Sequence, residues 1–356
     1  MKIEGIDHIE FYVADAGQSA AQLCDGYGFT VRGRSGPGAR QAGYHSVLTR
    51  HGTITILFTS AADPGHPAAQ YVARHGDGPA VIAFSVADGP ACFAAAVRRG
   101  ARPASPASGP DLAGGTVRGF GDVAHRFVTR QDPASPFAPG LSARSAAGAG
   151  AAAAAGTAAA GAHPAWLHGI DHLTLCLAPG GLAGTARTYH DVFGFSRTFA
   201  ERISAGGQTL NSVVLQSPSG TVTLSLLEPA PGAGPGQVTE FLAAHGGPGI
   251  QRIAFRTADI LTAVRGCARR GVSFPAMPDS YYDALATRAG PGVPVDTLRE
   301  LGVLADRDGW GWMLQAFANP QHTRRTFGYQ LVERRGALSF RPPDVPALCA
   351  SAPGQH

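Results

Sequence analysis

The chain has 356 residues, enough for two domains of ordinary size, and 44% of them are apolar, which suits buried cores. Its formal net charge of +4 is dispersed and forms no basic tract, so nucleic acid is not an expected partner. Lys2 is the only lysine, and the excess of Ala, Gly and Pro reads as a coding bias without chemical content.

The chain starts with Met1 to Val13, which lacks the apolar core of a signal peptide and alternates with period two from Ile6, as a half-buried strand does. Ala14 to Gly26 carries apolar residues at helical spacing and stops at Gly26 and Gly28. His45 to Thr59 gives two strands turning at Gly52, and Val81 to Val86 opens a strand followed by a helix from Gly89 to Arg99. Asp132 to Pro164 is rich in Ala, Gly, Ser and Pro without periodicity and reads as a flexible linker. Within it, Ala146 to Ala162 is too weakly hydrophobic to span a bilayer, so no membrane partner is expected. Cys24, Cys92, Cys176, Cys267 and Cys349 are scattered and form no CxxC, which favours reduced thiols and a cytoplasmic location over disulfides or zinc.

An internal repeat organises these elements. Ile6-Asp7-His8-Ile9-Glu10-Phe11 returns as Ile170-Asp171-His172-Leu173-Thr174-Leu175, and Tyr27-Gly28-Phe29 returns as Phe193-Gly194-Phe195. Val81-Ile82-Ala83-Phe84 returns as Arg252-Ile253-Ala254-Phe255, and Arg98-Arg99-Gly100 as Arg269-Arg270-Gly271. Matches in one order mean two copies of one unit. The expected domains are 1–131, a linker at 132–165, and 166–356, the last carrying the pocket.

The repeated units resemble the vicinal oxygen chelate fold, an α+β class with tandem βαβββ modules and two half-open barrel domains. The second half resembles the 4-hydroxyphenylpyruvate dioxygenase and 4-hydroxymandelate synthase family. The strings that carry this are Gly169 to Leu173, Leu210 to Val214, Gly249 to Phe255, Asp279 to Asp283, Val303 to Asp306 and Leu314 to Phe317. Gly119 to Val123 and His66 to Ala69 extend the likeness into the first half. Leu227 stands where homogentisate-forming members carry asparagine and mandelate-forming members an aliphatic residue, which points to the latter branch.

In that family Fe(II) is held by two histidines and one glutamate, leaving positions for a 2-oxo acid and O₂. The resemblance maps the first ligand onto His172, the second onto Arg252 and the third onto Gln330. A guanidinium has no lone pair for a metal and repels a dication. An amide at 330 removes the ligand charge that offsets the ion. The triad is degenerate, and the expectation is a site without a metal and a protein without a cofactor, with Fe(II) through altered ligands as the alternative.

Ser212, Gln237, Leu227, Gln315 and Phe317 map onto positions where relatives contact the aryl oxo acid, which implies a small aromatic or acyl carboxylate as substrate. Arg252 is expected to pair with that carboxylate, His172 to act as general acid or base, and Gln330 to orient it or hold an oxyanion. Redox-neutral chemistry in specialised metabolism would follow. Other readings stay open: Arg252 as a filler of the metal void, His172 as an inherited strand residue, a non-catalytic binding protein, or an Fe(II) dioxygenase. His8 is expected to be structural, because its module has Val81 where the second ligand aligns. Arg341 to Pro346 discourages a helix, so any C-terminal lid would be short or absent. A homodimer through an exposed module edge is an expectation by analogy.

Overall fold

The computed structural model describes residues 1–36, 43–104, 114–130, 137, 141–143, 166–205, 208–232, 234–287, 290, 292–322 and 324–338. It builds two curled eight-stranded sheets whose central strands are the two copies of the repeat, β1 (Ile3–Tyr12) and β9 (Gly169–Cys176). In the first half β1 is flanked by β4 (Ile54–Ala61), parallel, and β5 (Gly78–Val86), antiparallel. In the second, β9 is flanked in the same senses by β12 (Thr223–Pro229) and β13 (Gly249–Arg256). Outside these, β3 (Tyr44–His51) and β2 (Thr30–Ser35) extend one side of the first sheet, and β7 (Ala124–Val128) and β6 (Thr116–Arg118) the other. Their counterparts are β11 (Gln208–Gln216), β10 (Ser196–Ala205), β16 (Gly328–Arg335) and β15 (Trp312–Phe317), with β14 (Leu304–Arg307) at the far edge.

Alternation decides which side chains face inward. Along β1, Ile9, Phe11 and Val13 join a cluster that also holds Leu173, Leu175 and Leu177 of β9, so one apolar core spans both halves. Aromatic contacts cross this boundary: Tyr27 lies 6.3 Å and Phe29 5.7 Å from Phe255, and Phe84 lies 6.2 Å from Phe195. His8 and Glu10, and His172 and Thr174, take the opposite, concave faces.

The first helix, α1 (Ala16–Tyr27), is capped by the Asp15 side chain and closed by Gly28 at φ 72°. Its repeat, α4 (Leu182–Thr188), runs into a wider π turn over Tyr189–Phe193, closed by Gly194 at φ 77°. The sequence reading placed the first helix two residues early and left Pro67–His75 unassigned. That segment is α2, started by Pro67 and capped by the His66 ring, and with α5 (Gln237–His245) it occupies the same place in each half. The remaining helices are α3 (Gly89–Arg98), α6 (Ile260–Ala268), α7 (Asp279–Ala286) and α8 (Val295–Leu301).

Most of the segment read as a linker, 132–165, and the C-terminal proline segment lie outside the described residues. The described part of the former, β8 (Leu141–Ala143), pairs with β2, so this stretch contributes a strand to the sheet edge. Cys24, Cys92, Cys176 and Cys267 carry free thiols. Among the described residues no helix is long and apolar enough to cross a membrane.

Candidate functional site

The concave face of the second half gathers the expected residues from six strands and one helix. His172 on β9 pairs in register with Ala254 on β13, and Ala254 pairs with Gln330 on β16. Gln330 in turn faces Phe317 on β15. On the other side Ser212 on β11 is opposite Leu227 on β12. Directly paired residues in a sheet point to the same side, so these positions form one continuous lining.

Arg252 reaches this lining through a bulge. Ile250 pairs with Leu175 and faces the apolar core, whereas Arg252 pairs with Thr174, leaving Gln251 as the extra residue. Without that insertion strict alternation would turn Arg252 toward the core. The first half repeats the device, with a register shift where Val81 meets Glu10.

The Arg252 guanidinium sits 4.6 Å over the Phe317 ring, with a long contact of 3.5 Å from Nη2 to Gln237 Oε1 at the start of α5. Burial pulls its pKa down to about 10, only partly opposed by the Cys176 thiol. No carboxylate among the described residues lies within ion-pair distance of it. It is nevertheless only half-buried by surface area, so its charge lines a concavity instead of being packed solid. Cys176, fully buried next to it, has its thiol pushed up to about 12 by burial and stays neutral.

The amides form a pair: Gln330 Nε2 donates to Gln315 Oε1 at 2.6 Å, and both side chains are buried. Gln315 Nε2 and Ser212 Oγ are buried without a hydrogen-bond partner among the described residues, an unfavourable state unless a ligand supplies the missing oxygen. Leu227 joins Cys176, Leu210, Val238 and Phe241 in an apolar wall under α5.

His172 Nδ1 lies 2.8 Å from Asp171 Oδ1. Burial alone would raise the Asp171 carboxyl, but hydrogen bonds from Arg334 and His172 outweigh it and hold the group well below the usual carboxylate range. An ionised carboxylate only accepts, so His172 Nδ1 is the donor of this pair. Neither Asp171 nor Arg334 was singled out in the sequence; the repeated Asp-His pair was visible there, but the arginine that clasps it is 163 positions away.

Three other histidines do not join this lining. His190 is exposed, His245 is buried at the end of α5, and His322 contacts Phe327. Tyr281 lies on α7 and bridges to Ala305, accepting from its N–H at 2.8 Å. His8 is fully buried with its Nδ1 on Asp7, and Val81 does take the register position of Arg252.

Comparison with known proteins identifies relatives of this fold. Two models of the Glyoxalase/Bleomycin resistance protein/Dioxygenase superfamily match residues 169–314 and 7–117. A 4-hydroxyphenylpyruvate dioxygenase of Hordeum vulgare is 32% identical over 362 residues, covering 93% of this chain and 79% of that protein. Another, from Yarrowia lipolytica, is 30% identical over 355 residues and covers 94% and 88%. Among solved structures, a triple mutant of 4-hydroxymandelate synthase from Streptomyces coelicolor superposes with a TM-score of 0.82 at 34% identity, covering 98% of each chain.

These relatives correct the expectation of a protein without a cofactor: they are dioxygenases and a synthase of a family whose members use Fe(II), and nothing in them supports a cofactor-free member. The fit of this chain's own side chains to that ion is a separate matter of donor chemistry. His172 offers one nitrogen, Gln330 only a neutral amide oxygen, and Arg252 a fixed cation held over Phe317. This set does not fit the iron of the family.

Proposed function

The chain belongs to the 4-hydroxyphenylpyruvate dioxygenase family of the glyoxalase and dioxygenase superfamily, and from that premise we propose that its second half-barrel binds and transforms an aryl 2-oxo acid anchored by Arg252. The observation that carries this reading is a cation without a carboxylate partner among the described residues, held over an aromatic ring in a lining with two orphaned polar groups. A carboxylate fits the guanidinium by two parallel hydrogen bonds. The aryl group lies against Phe317 and the Leu227 wall. Ser212 Oγ and Gln315 Nε2 donate to the remaining oxygens, which relieves their desolvation.

The reaction that the relatives favour is dioxygenation of such an acid. A second reading, redox-neutral proton transfer, is favoured by one feature: Asp171 orients the His172 ring through Nδ1, as an acid–base histidine requires. In that role His172 takes a proton from the carbon next to the oxo group, while Arg252 and the amide pair stabilise the enolate oxygen.

Calorimetric titration with 4-hydroxyphenylpyruvate, together with oxygen uptake in the presence of Fe(II), tests both. Binding that disappears in Arg252→Ala supports the anchor. Oxygen uptake identifies the dioxygenase, and turnover without it the proton-transfer enzyme. Absence of binding overturns the proposal.

A further inference from the structure

The first half-barrel contains a counterpart of the second-half lining, built from different residues. By register Ala83 pairs with Arg126 as Ala254 pairs with Gln330, so Arg126 occupies the position of Gln330 on the concave face. Arg126 is 1% exposed. Its Nη1 lies 2.8 Å from Glu10 Oε2, and Glu10 accepts from Thr59 Oγ1 at 2.7 Å, with Ser46 behind Thr59 at 2.9 Å. This buried chain, which runs from β7 past β5 to β1, β4 and β3, holds the guanidinium in one place.

A cavity of about 280 Å³ opens over this group, near the lower end of volumes that hold small ligands. Arg126 forms part of its floor, Tyr12, Tyr71 and Val81 its apolar side, and Arg74 and Arg118 its mouth. Tyr12 and Tyr71 meet edge to face at 5.7 Å, presenting an aromatic wall. The Arg126 Nε is buried without a hydrogen-bond partner among the described residues. Asp122 at the rim is taken up by Arg74 and His75. Three guanidinium groups against the carboxylates of Asp122 and Glu10 leave a positive excess.

We propose that this cavity is a second binding site, for a small aryl carboxylate, distinct from the Arg252 site. The ring packs against Tyr12 and Tyr71, and the carboxylate is drawn by Arg118 at the mouth with Arg126 beneath. Glu10 neutralises most of the Arg126 charge, so Arg118 is the larger contributor to anion attraction, and it is exposed, which makes it safe to change.

The test uses 4-fluorophenylacetate as probe and ¹⁹F line broadening as readout, on the full chain with Arg252→Ala to silence the second half. That protein is expected to bind one equivalent. Adding Arg118→Glu should weaken it by about tenfold, because a like charge then faces the carboxylate at the mouth, whereas Arg118→Lys should keep it within about threefold. No broadening in the Arg252→Ala protein, or equal affinity with Arg118→Glu, overturns the site. The two sites are separable in the chain with Arg252 intact: a probe displaced only by Arg118→Glu counts against the Arg252 anchor, and one displaced only by Arg252→Ala counts against this cavity.

Discussion

Arg334 grips Asp171 with both Nε and Nη2 at 2.8 Å, and Arg130 grips Asp7 in the same way at 2.8 and 2.7 Å. Each aspartate in turn holds the Nδ1 of the following histidine, His172 or His8. The clasp was kept in both halves while the positions around it diverged, so it belongs to the fold before it belongs to the site. It ties β16 in the second half, and the segment just after β7 in the first, to the central strand.

Replacing Arg334 by Gln should therefore cost about 3 kcal/mol in urea unfolding, since a buried carboxylate loses its main counter-charge. It should also loosen the hold of Asp171 on the His172 ring. Nitrogen chemical shifts of the His172 ring read the second effect, and Arg334→Lys should restore part of the stability but not the two-pronged geometry.

The same carboxylates set the acid limit of the protein. Asp7 and Asp171 are both held below their ordinary range, against the upward pull of burial, by their arginine and histidine partners. A depressed carboxylate stabilises the fold above its unfolded pKa, about 3.9, and that contribution disappears as pH falls below it toward the folded value. Unfolding midpoints between about pH 2 and pH 5 should fall steeply in the protein and less so in Asp171→Asn with Arg334→Gln, which lacks this group.

A separate slope should appear at higher pH. His245 stacks on His75 at 4.3 Å and on Phe241 at 4.9 Å, where α2 and α5 meet between the halves. Burial, with His75 beside it, pushes its pKa down to about 4. The unfolded ring takes a proton near 6.5, so the folded state binds fewer protons between these values. Stability is full above about pH 6.5 and declines as pH drops toward 4. His245→Phe should flatten this part of the profile. Gly249→Ala should disturb the same stack, because a Cβ there would meet the His245 ring at 2.4 Å.

At the ligand site, Arg252→Ala should weaken 4-hydroxyphenylpyruvate binding about a hundredfold, and Arg252→Lys by about tenfold, because lysine keeps the charge and loses the paired donors. Phe317→Ala should cost about 1 kcal/mol through the lost contact with the guanidinium. Equal small losses in both Arg252 variants would remove the anchor role.

The scaffold also predicts a gain of function. Ala254 is paired with both His172 and Gln330, and Arg252 lies two residues along on the same face. Arg252→His together with Gln330→Glu should therefore bring two imidazoles and a carboxylate together and bind Fe(II) in a one-to-one ratio by elemental analysis. Failure to take up the ion would show that the three strands have moved apart from the arrangement of the family.

The repeat, the strand alternation and the two substitutions expected at ligand positions, Arg252 and Gln330, could be read from residue types alone, because each is local: a period, a string, a substitution within a string. The family strings also located Ser212, Leu227, Gln315 and Phe317, which do share one lining. What the residues could not reveal was pairing across distance. The bulge at Gln251 that turns Arg252 inward depends on the register between β9 and β13. The clasp of Arg334 on Asp171 joins residues 163 apart, and the pair of Glu10 and Arg126 joins β1 to the last part of the first sheet. Whether a buried charge is neutralised or left waiting for a ligand is settled by such neighbours: Arg126 has Glu10 beside it, and Arg252 has an aromatic ring. Sequence periodicity assigns a side chain to a face, but only closure of the sheet decides what faces it.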